Sequence, residues 1–193
     1  YASTSPKADN ASRTFYGPNY KGTINDTIKH DTTSDIAGVI TLGYMASITD
    51  KFLLGVGVEY YHLNGDWNKS SLTSGYSGAV YEGRFKMNNQ YNLFISPAYA
   101  VDKDKLIYTK FGYTQANIEV EGYDSHTPSG YSLGLGYKQI FTGGWYGFVE
   151  GNYFVYGDQK RTDIGYYDGD TYSQSVTNSS TDYNIMVGVG YKF

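Results

Sequence analysis

The last eleven residues, Tyr183 to Phe193 (YNIMVGVGYKF), constrain the fold more than any other stretch. Counting back from the end, Phe193, Tyr191, Val189, Val187, Ile185 and Tyr183 take every second position. Lys192, Gly190, Gly188, Met186 and Asn184 lie between them. A period of two places the first set on one face of a strand. Val and Ile fill the middle of that face, and Tyr and Phe cap its ends. The pattern is that of a strand whose outer face meets lipid and whose aromatics sit at the two interfaces. The plainer alternative is an alternating strand of a soluble β-sandwich, and the rest of the chain decides between the two.

A length of 193 residues suggests one domain. Mean hydropathy is -0.48, and no run approaches the roughly 18 apolar residues that a spanning helix needs. Neither fact weighs against a barrel, which hides its lipid face in alternation. The 24 Gly and 23 Tyr are more telling. Gly suits crowded inward positions, and Tyr suits aromatic belts and exposed recognition surfaces. Cysteine is absent, which removes disulfides and thiolate metal sites. A net charge of -4 with no basic stripe argues against a nucleic-acid partner. No signal-peptide pattern opens the chain, so an exported form is expected to have lost its leader.

Residues 1–34 are rich in Ser, Thr, Asn, Asp and Gly and read as a polar arm or first outer loop. Residues 35–193 read as the barrel. Alternating strands are expected at Ile36–Ala46, Phe52–Leu63, Arg84–Val101, Leu106–Glu121, Tyr131–Phe141, Trp145–Tyr156 and Tyr183–Phe193. Pro97 removes a ladder donor within the third, which suggests a bulge. The connections run short, long, short, medium, short, long. Turns at Thr49–Lys51, Asp102–Lys105 and Thr142–Gly144 alternate with polar loops at 64–82, 122–129 and 157–180. Outer-membrane barrels sort their connections this way, with short periplasmic turns and longer outer loops. A sandwich has no reason to.

The YNIMVGVGYKF terminus resembles the C-terminal β-signal of bacterial outer-membrane proteins. With the loop alternation, Ile36 to Phe193 resembles the small eight-stranded outer-membrane barrels of the opacity-protein and OmpA-type class. The resemblance implies an all-β, antiparallel, up-and-down transmembrane β-barrel in the Gram-negative outer membrane, with both termini periplasmic. It also implies that Tyr183, Ile185, Val187, Val189, Tyr191 and Phe193 are read by the barrel-assembly machinery, and that lipid and lipopolysaccharide surround the wall. Seven strands are evident where eight are expected. A seven-stranded sheet leaves backbone unpaired in lipid, at several kcal/mol per group. The eighth strand could be cryptic in residues 1–34, lie upstream with Tyr1-Ala2-Ser3 as its outer end, or come from another chain. The second source is preferred.

Glu59, Lys110, Lys138 and Glu150 fall on the small-residue faces of their strands. A Lys facing lipid at the midplane costs about 2–4 kcal/mol, so these charges are expected inside, with Lys110 paired to Glu59 or Glu150. A salt-bridged plug is preferred to a gate, because eight-stranded interiors are just wide enough for side chains. Lumen glycines are expected to make room for Tyr61, Tyr146, Phe148 and Phe94. Of the three histidines, His30, His62 and His126, only His62 takes a suggestive rim position, and no Ser accompanies it with a hydrolase signature. No enzyme activity and no cofactor are expected. Asp168 and Asp170 are a weak calcium candidate, since the full EF-hand spacing is absent. Tyr76, Tyr81, Tyr123, Tyr166, Tyr167 and Tyr172 form a candidate recognition surface in the outer loops. The expected role is surface interaction, as adhesion or self-assembly. A small porin-like channel is the first alternative and a lipid A-modifying enzyme the second.

Overall fold

The computed structural model describes every residue except Tyr1, Pro18, Asn64, Gly65, Tyr123, Asp124 and Asp168. The chain is an antiparallel sheet curled on itself. Strands β4 (Ala37–Ser47), β5 (Phe52–Leu63), β7 (Val80–Ala100), β8 (Lys105–Val120), β9 (Ser129–Thr142), β10 (Trp145–Tyr167) and β11 (Asp170–Tyr191) follow one another around the wall. They correspond to the seven expected strands. At one end the turns are tight, and Gly143 and Gly144 both take positive φ (56° and 85°) to reverse β9 into β10.

The opposite end is taller than the sequence suggests. Residues expected as loops continue as strands. β10 and β11 stay paired up to Tyr167 and Asp170, and β6 (Asn68–Thr73) pairs with the start of β7. The polar arm forms β1 (Ala2–Tyr16), β2 (Lys21–His30) and β3 (Thr33–Asp35) instead of a loop. These segments lack apolar alternation because neither face needs to match lipid. Thr-rich backbone still builds a ladder. Together β7, β6, β2, β1, β11 and β10 make an upper sheet in that spatial order.

β1 takes the eighth position in part of the wall. Ala2 pairs with Asn184 of β11 on one side and Asp35 of β3 on the other. Ala2 and Ser3 are therefore not the outer end of a strand, because β1 runs on from them toward the tall end to Tyr16. Below that level, among the described residues, β4 pairs only with β5, and Ile185–Tyr191 pair only with β10. Pro97 causes no bulge. The β7–β8 register is the same on either side of it, and the shift lies instead between Met87 and Asn89. Ser96 and Pro97 drop out of the β7–β8 ladder, Pro97 stays opposite Leu54 of β5, and the flanking pairs Ile95–Phe111 and Ala98–Tyr108 hold the alignment.

The burial pattern follows the alternation. On β7, Tyr91, Leu93 and Ile95 face outward and exposed, while Asn92, Phe94 and Ser96 are buried. The wall thus presents apolar residues outside and polar ones inside, the reverse of a soluble protein. In the lumen, an apolar cluster of Tyr61, Met87, Ala116, Phe154 and Tyr156 packs inside the wall.

Candidate functional site

Two places concentrate chemistry: the lumen at mid-height and the upper sheet.

Glu59 on β5, Lys110 on β8 and Glu150 on β10 are all buried. The Lys110 ammonium bridges both carboxylates, bonding Glu59 Oε1 and reaching Glu150 Oε2 at 2.7 Å. The remaining acceptor sites are filled. Tyr61 and Asn92 donate to Glu59 at 2.9 and 3.0 Å. Tyr108 and Asn152 donate to Glu150 at 2.6 and 2.7 Å. Ser132 donates to Asn92, and Asn152 also donates to Asn184. A buried ion triad is tolerable only when its spare lone pairs are met in this way. Lys138, the fourth expected member, stands apart. Its amine lies over the rings of Tyr108 and Tyr146, at 4.7 and 5.2 Å.

Glycine makes this crowding possible. A Cβ on Gly136 would lie 2.3 Å from the Tyr108 ring, and one on Gly57 would lie 2.5 Å from the Phe94 ring. Tyr146 and Phe148 are seated similarly on Gly190 and Gly188, whereas among the described glycines none has Tyr61 as a nearest neighbour. Tyr108, Asn92, Asn152, Asn184 and Ser132 escape a search for charges. The available signal was parity: Tyr108 lies two residues before Lys110, and Asn152 two after Glu150.

The upper sheet is pinned by two buried carboxylates. Arg13 on β1 grips Asp26 on β2 with two bonds of 2.7 and 2.8 Å and donates a third to Ser74 at 2.7 Å. Gly75 N–H completes Asp26 at 3.0 Å. The hydrogen bonding to Asp26 pushes the Arg13 guanidinium further up from its ordinary range. Asp170 accepts the backbone N–H groups of Asn19 and Tyr20 at 3.2 and 2.7 Å, which clamps the β1–β2 turn to the tip of the β10–β11 hairpin. Its oxygens thus hold backbone. Asp168 lies outside the described residues.

The candidate tyrosines fall on different elements of the tall end. Tyr123 lies outside the described residues, and Tyr166, Tyr167 and Tyr172 stand on strands. Tyr172 packs against Phe15, which meets Tyr20, which in turn nears Tyr76, at centroid distances of 5.3, 5.4 and 6.4 Å. Tyr76 and Tyr81 are exposed at the tall end, 72% and 60%. Tyr166 is exposed on the sheet's outward face, across Thr171 from Tyr16. His62 is exposed, stacks on Tyr60 and meets Asn89 Oδ1 at 3.2 Å, so its ring nitrogen faces an amide and not a carboxylate. His30 packs edge-on to Phe85, and His126 makes an isolated bridge to Ile118. In the terminal strand, Ile185, Val187 and Val189 project outward, and the Tyr191 ring touches those of Trp145 and Phe193.

No protein-family model and no curated protein matches this sequence. Solved structures do. The outer membrane protein OprG from Pseudomonas aeruginosa aligns over 100% of this chain and 92% of its own, at 15% identity and a TM-score of 0.57. Ail, the attachment invasion locus protein of Yersinia pestis, aligns over 94% of this chain and 98% of its own, at 8% identity and a TM-score of 0.38. The outer membrane protease OmpT from Escherichia coli aligns over 100% and 77%, at 15% identity and a TM-score of 0.45. The fold is that of an outer-membrane β-barrel.

Proposed function

We propose that this protein is a non-enzymatic, non-conducting barrel of the bacterial outer membrane that serves surface interaction, as adhesion or self-association, through its tall end. The short turns then face the periplasm and the upper sheet faces outward. The observation that carries this reading is the sheet itself. Six strands extend the wall, buried carboxylates tie them together, and exposed Tyr76 and Tyr81 crown them. Building a rigid platform beyond the lipid costs ordered backbone, about 1–2 kcal/mol per residue, which simple loops would avoid. Tyrosine on a rigid support gives contact area at low entropy cost.

The competing reading is a small channel. The Lys110 triad speaks against it, because its groups cross the lumen and satisfy one another. Catalysis at the rim is disfavoured by the Asn89 partner of His62. The test is surface display of the protein with both Tyr76→Ser and Tyr81→Ser. Cell aggregation and attachment to host-cell or abiotic surfaces should fall at least fivefold. Unchanged aggregation and attachment would refute the reading, as would unitary conductance from the wild-type protein in a planar bilayer.

A further inference from the structure

The top of β10 is an open edge. Its pairing with β9 ends at Tyr156–Gly130, whereas its pairing with β11 continues to Tyr167–Asp170. Among the described residues, no strand pairs with the other side of β10 beyond Tyr156. A long unpaired edge is a template for another strand, and native sheets protect such edges with proline or charge. Residues 157–167 contain no proline, and Ile164 and Tyr166 are exposed on the outward face. Charge is present, but in an order that matches itself.

Arg161 and Asp163 flank Thr162, which is the midpoint of 157–167. Two copies of this edge can pair antiparallel about a two-fold axis at Thr162. Position 161 of each copy then lies opposite position 163 of the other. Opposite charges directly across a strand pair stabilise it, and like charges destabilise it. Moving the axis by one residue sets Arg161 opposite Arg161, or Asp163 opposite Asp163, so one register is selected. In that register Lys160 lies opposite Ile164 and Asp158 opposite Tyr166, and no like charges meet directly.

The pairing also fixes where the second copy stands. β10 rises from the tight turn at Gly143 and Gly144 to the tall end. An antiparallel partner strand descends toward it, so the second barrel lies beyond the first copy's tall end, in a facing membrane. We propose that the upper edge of β10 is a homophilic contact, in which two copies in apposed membranes join antiparallel about Thr162 into one continuous sheet. The proposal rests on the reading that the tall end faces outward, and it names a second copy as the partner in self-association. One such contact is weak, and many acting between two membranes gain strength from multivalency.

The test uses the full chain in phosphatidylcholine vesicles, prepared as two populations with different dyes. Wild-type populations should cluster with one another. Arg161→Asp alone and Asp163→Arg alone should each cluster at least tenfold more slowly, because each sets like charges across the axis. Mixing Arg161→Asp vesicles with Asp163→Arg vesicles should restore at least half of the wild-type rate. The sequence has no cysteine, so Thr162→Cys adds a single thiol at the axis. A short bis-maleimide should join Thr162→Cys copies from different vesicles, and should not join Thr23→Cys copies, exposed on β2. Each variant is first checked for the heat-dependent gel mobility of a folded barrel. Vesicles carrying only this protein read copy-to-copy contact, so clustering can fail while attachment to foreign surfaces through Tyr76 and Tyr81 stands. The proposal is overturned if wild-type vesicles do not cluster, if either single reversal clusters within twofold of wild type, if the mixture stays as slow as the single variants, or if Thr162→Cys copies cross-link only within one vesicle.

Discussion

Lys110 and Glu150 stand on strands that are not neighbours, with β9 between them, yet their charged groups meet at 2.7 Å inside the wall. The contact spans the curvature of the sheet, so it holds only while the sheet stays curled. Glu59 on the far side of β7 completes the span.

Lys110→Met should leave two carboxylates buried without their cation. Breaking a buried pair in this way costs about 3–5 kcal/mol. The urea midpoint of the protein in lipid vesicles should fall accordingly. Glu59→Gln with Glu150→Gln in the same chain as Lys110→Met should recover much of the loss, because no net charge then remains buried. An equal midpoint for Lys110→Met and wild type would remove the triad from the stability account.

Gly136→Ala should be costly where Gly83→Ala is neutral. The added methyl at 136 meets the Tyr108 ring at 2.3 Å, whereas nothing lies within 4 Å at 83. Overpacking of this kind costs about 1–3 kcal/mol, and a change in open space stays within about 0.5 kcal/mol. The two urea midpoints measure the contrast, and Gly136→Ala with Tyr108→Leu should relieve it.

Arg13→Ala should loosen the upper sheet and leave the lower wall folded. Asp26 would lose its two guanidinium bonds and keep only the Gly75 N–H. Protease should then cut between Tyr16 and Lys21 faster than in wild type, while the heat-dependent gel shift persists. Loss of the gel shift would mean that the upper sheet and the lower wall fold as one unit.

The Lys86–Glu119 pair at the edge of the upper sheet should respond to acid. Lys86, at 2.8 Å, lowers the Glu119 carboxyl from its ordinary range, with Asn88 adding to the effect. A depressed carboxyl contributes fully above its unfolded value and loses that contribution as pH falls through the folded one. Carbon-13 titration of the Glu119 carboxyl should therefore give a midpoint below that of a model Glu. Lys86→Met should raise it.

The spanning strands were legible because lipid imposes a strict rule. Backbone must be paired and every second side chain must be apolar, which leaves a period of two in each of the seven strands between Ile36 and Phe193. The same rule put Glu59, Lys110 and Glu150 inside, since facing lipid was the costly choice. What the sequence could not give was the tall end. Residues 1–34, 64–82 and 157–180 follow no period, because beyond the lipid either face can be polar, and composition alone reads as loop. Their pairing depends on partners far away in the chain, such as Arg13 with Ser74 and Asp170 with Tyr20. Curvature likewise belongs to the tertiary structure. Sequence gave the inward charges by strand and face, but only the curling of the sheet brought Lys110 between two carboxylates and left Lys138 over aromatic rings. Alternation is a local property that a single strand carries by itself. Which groups meet across a lumen is set by register and closure, and those exist only once the strands are together.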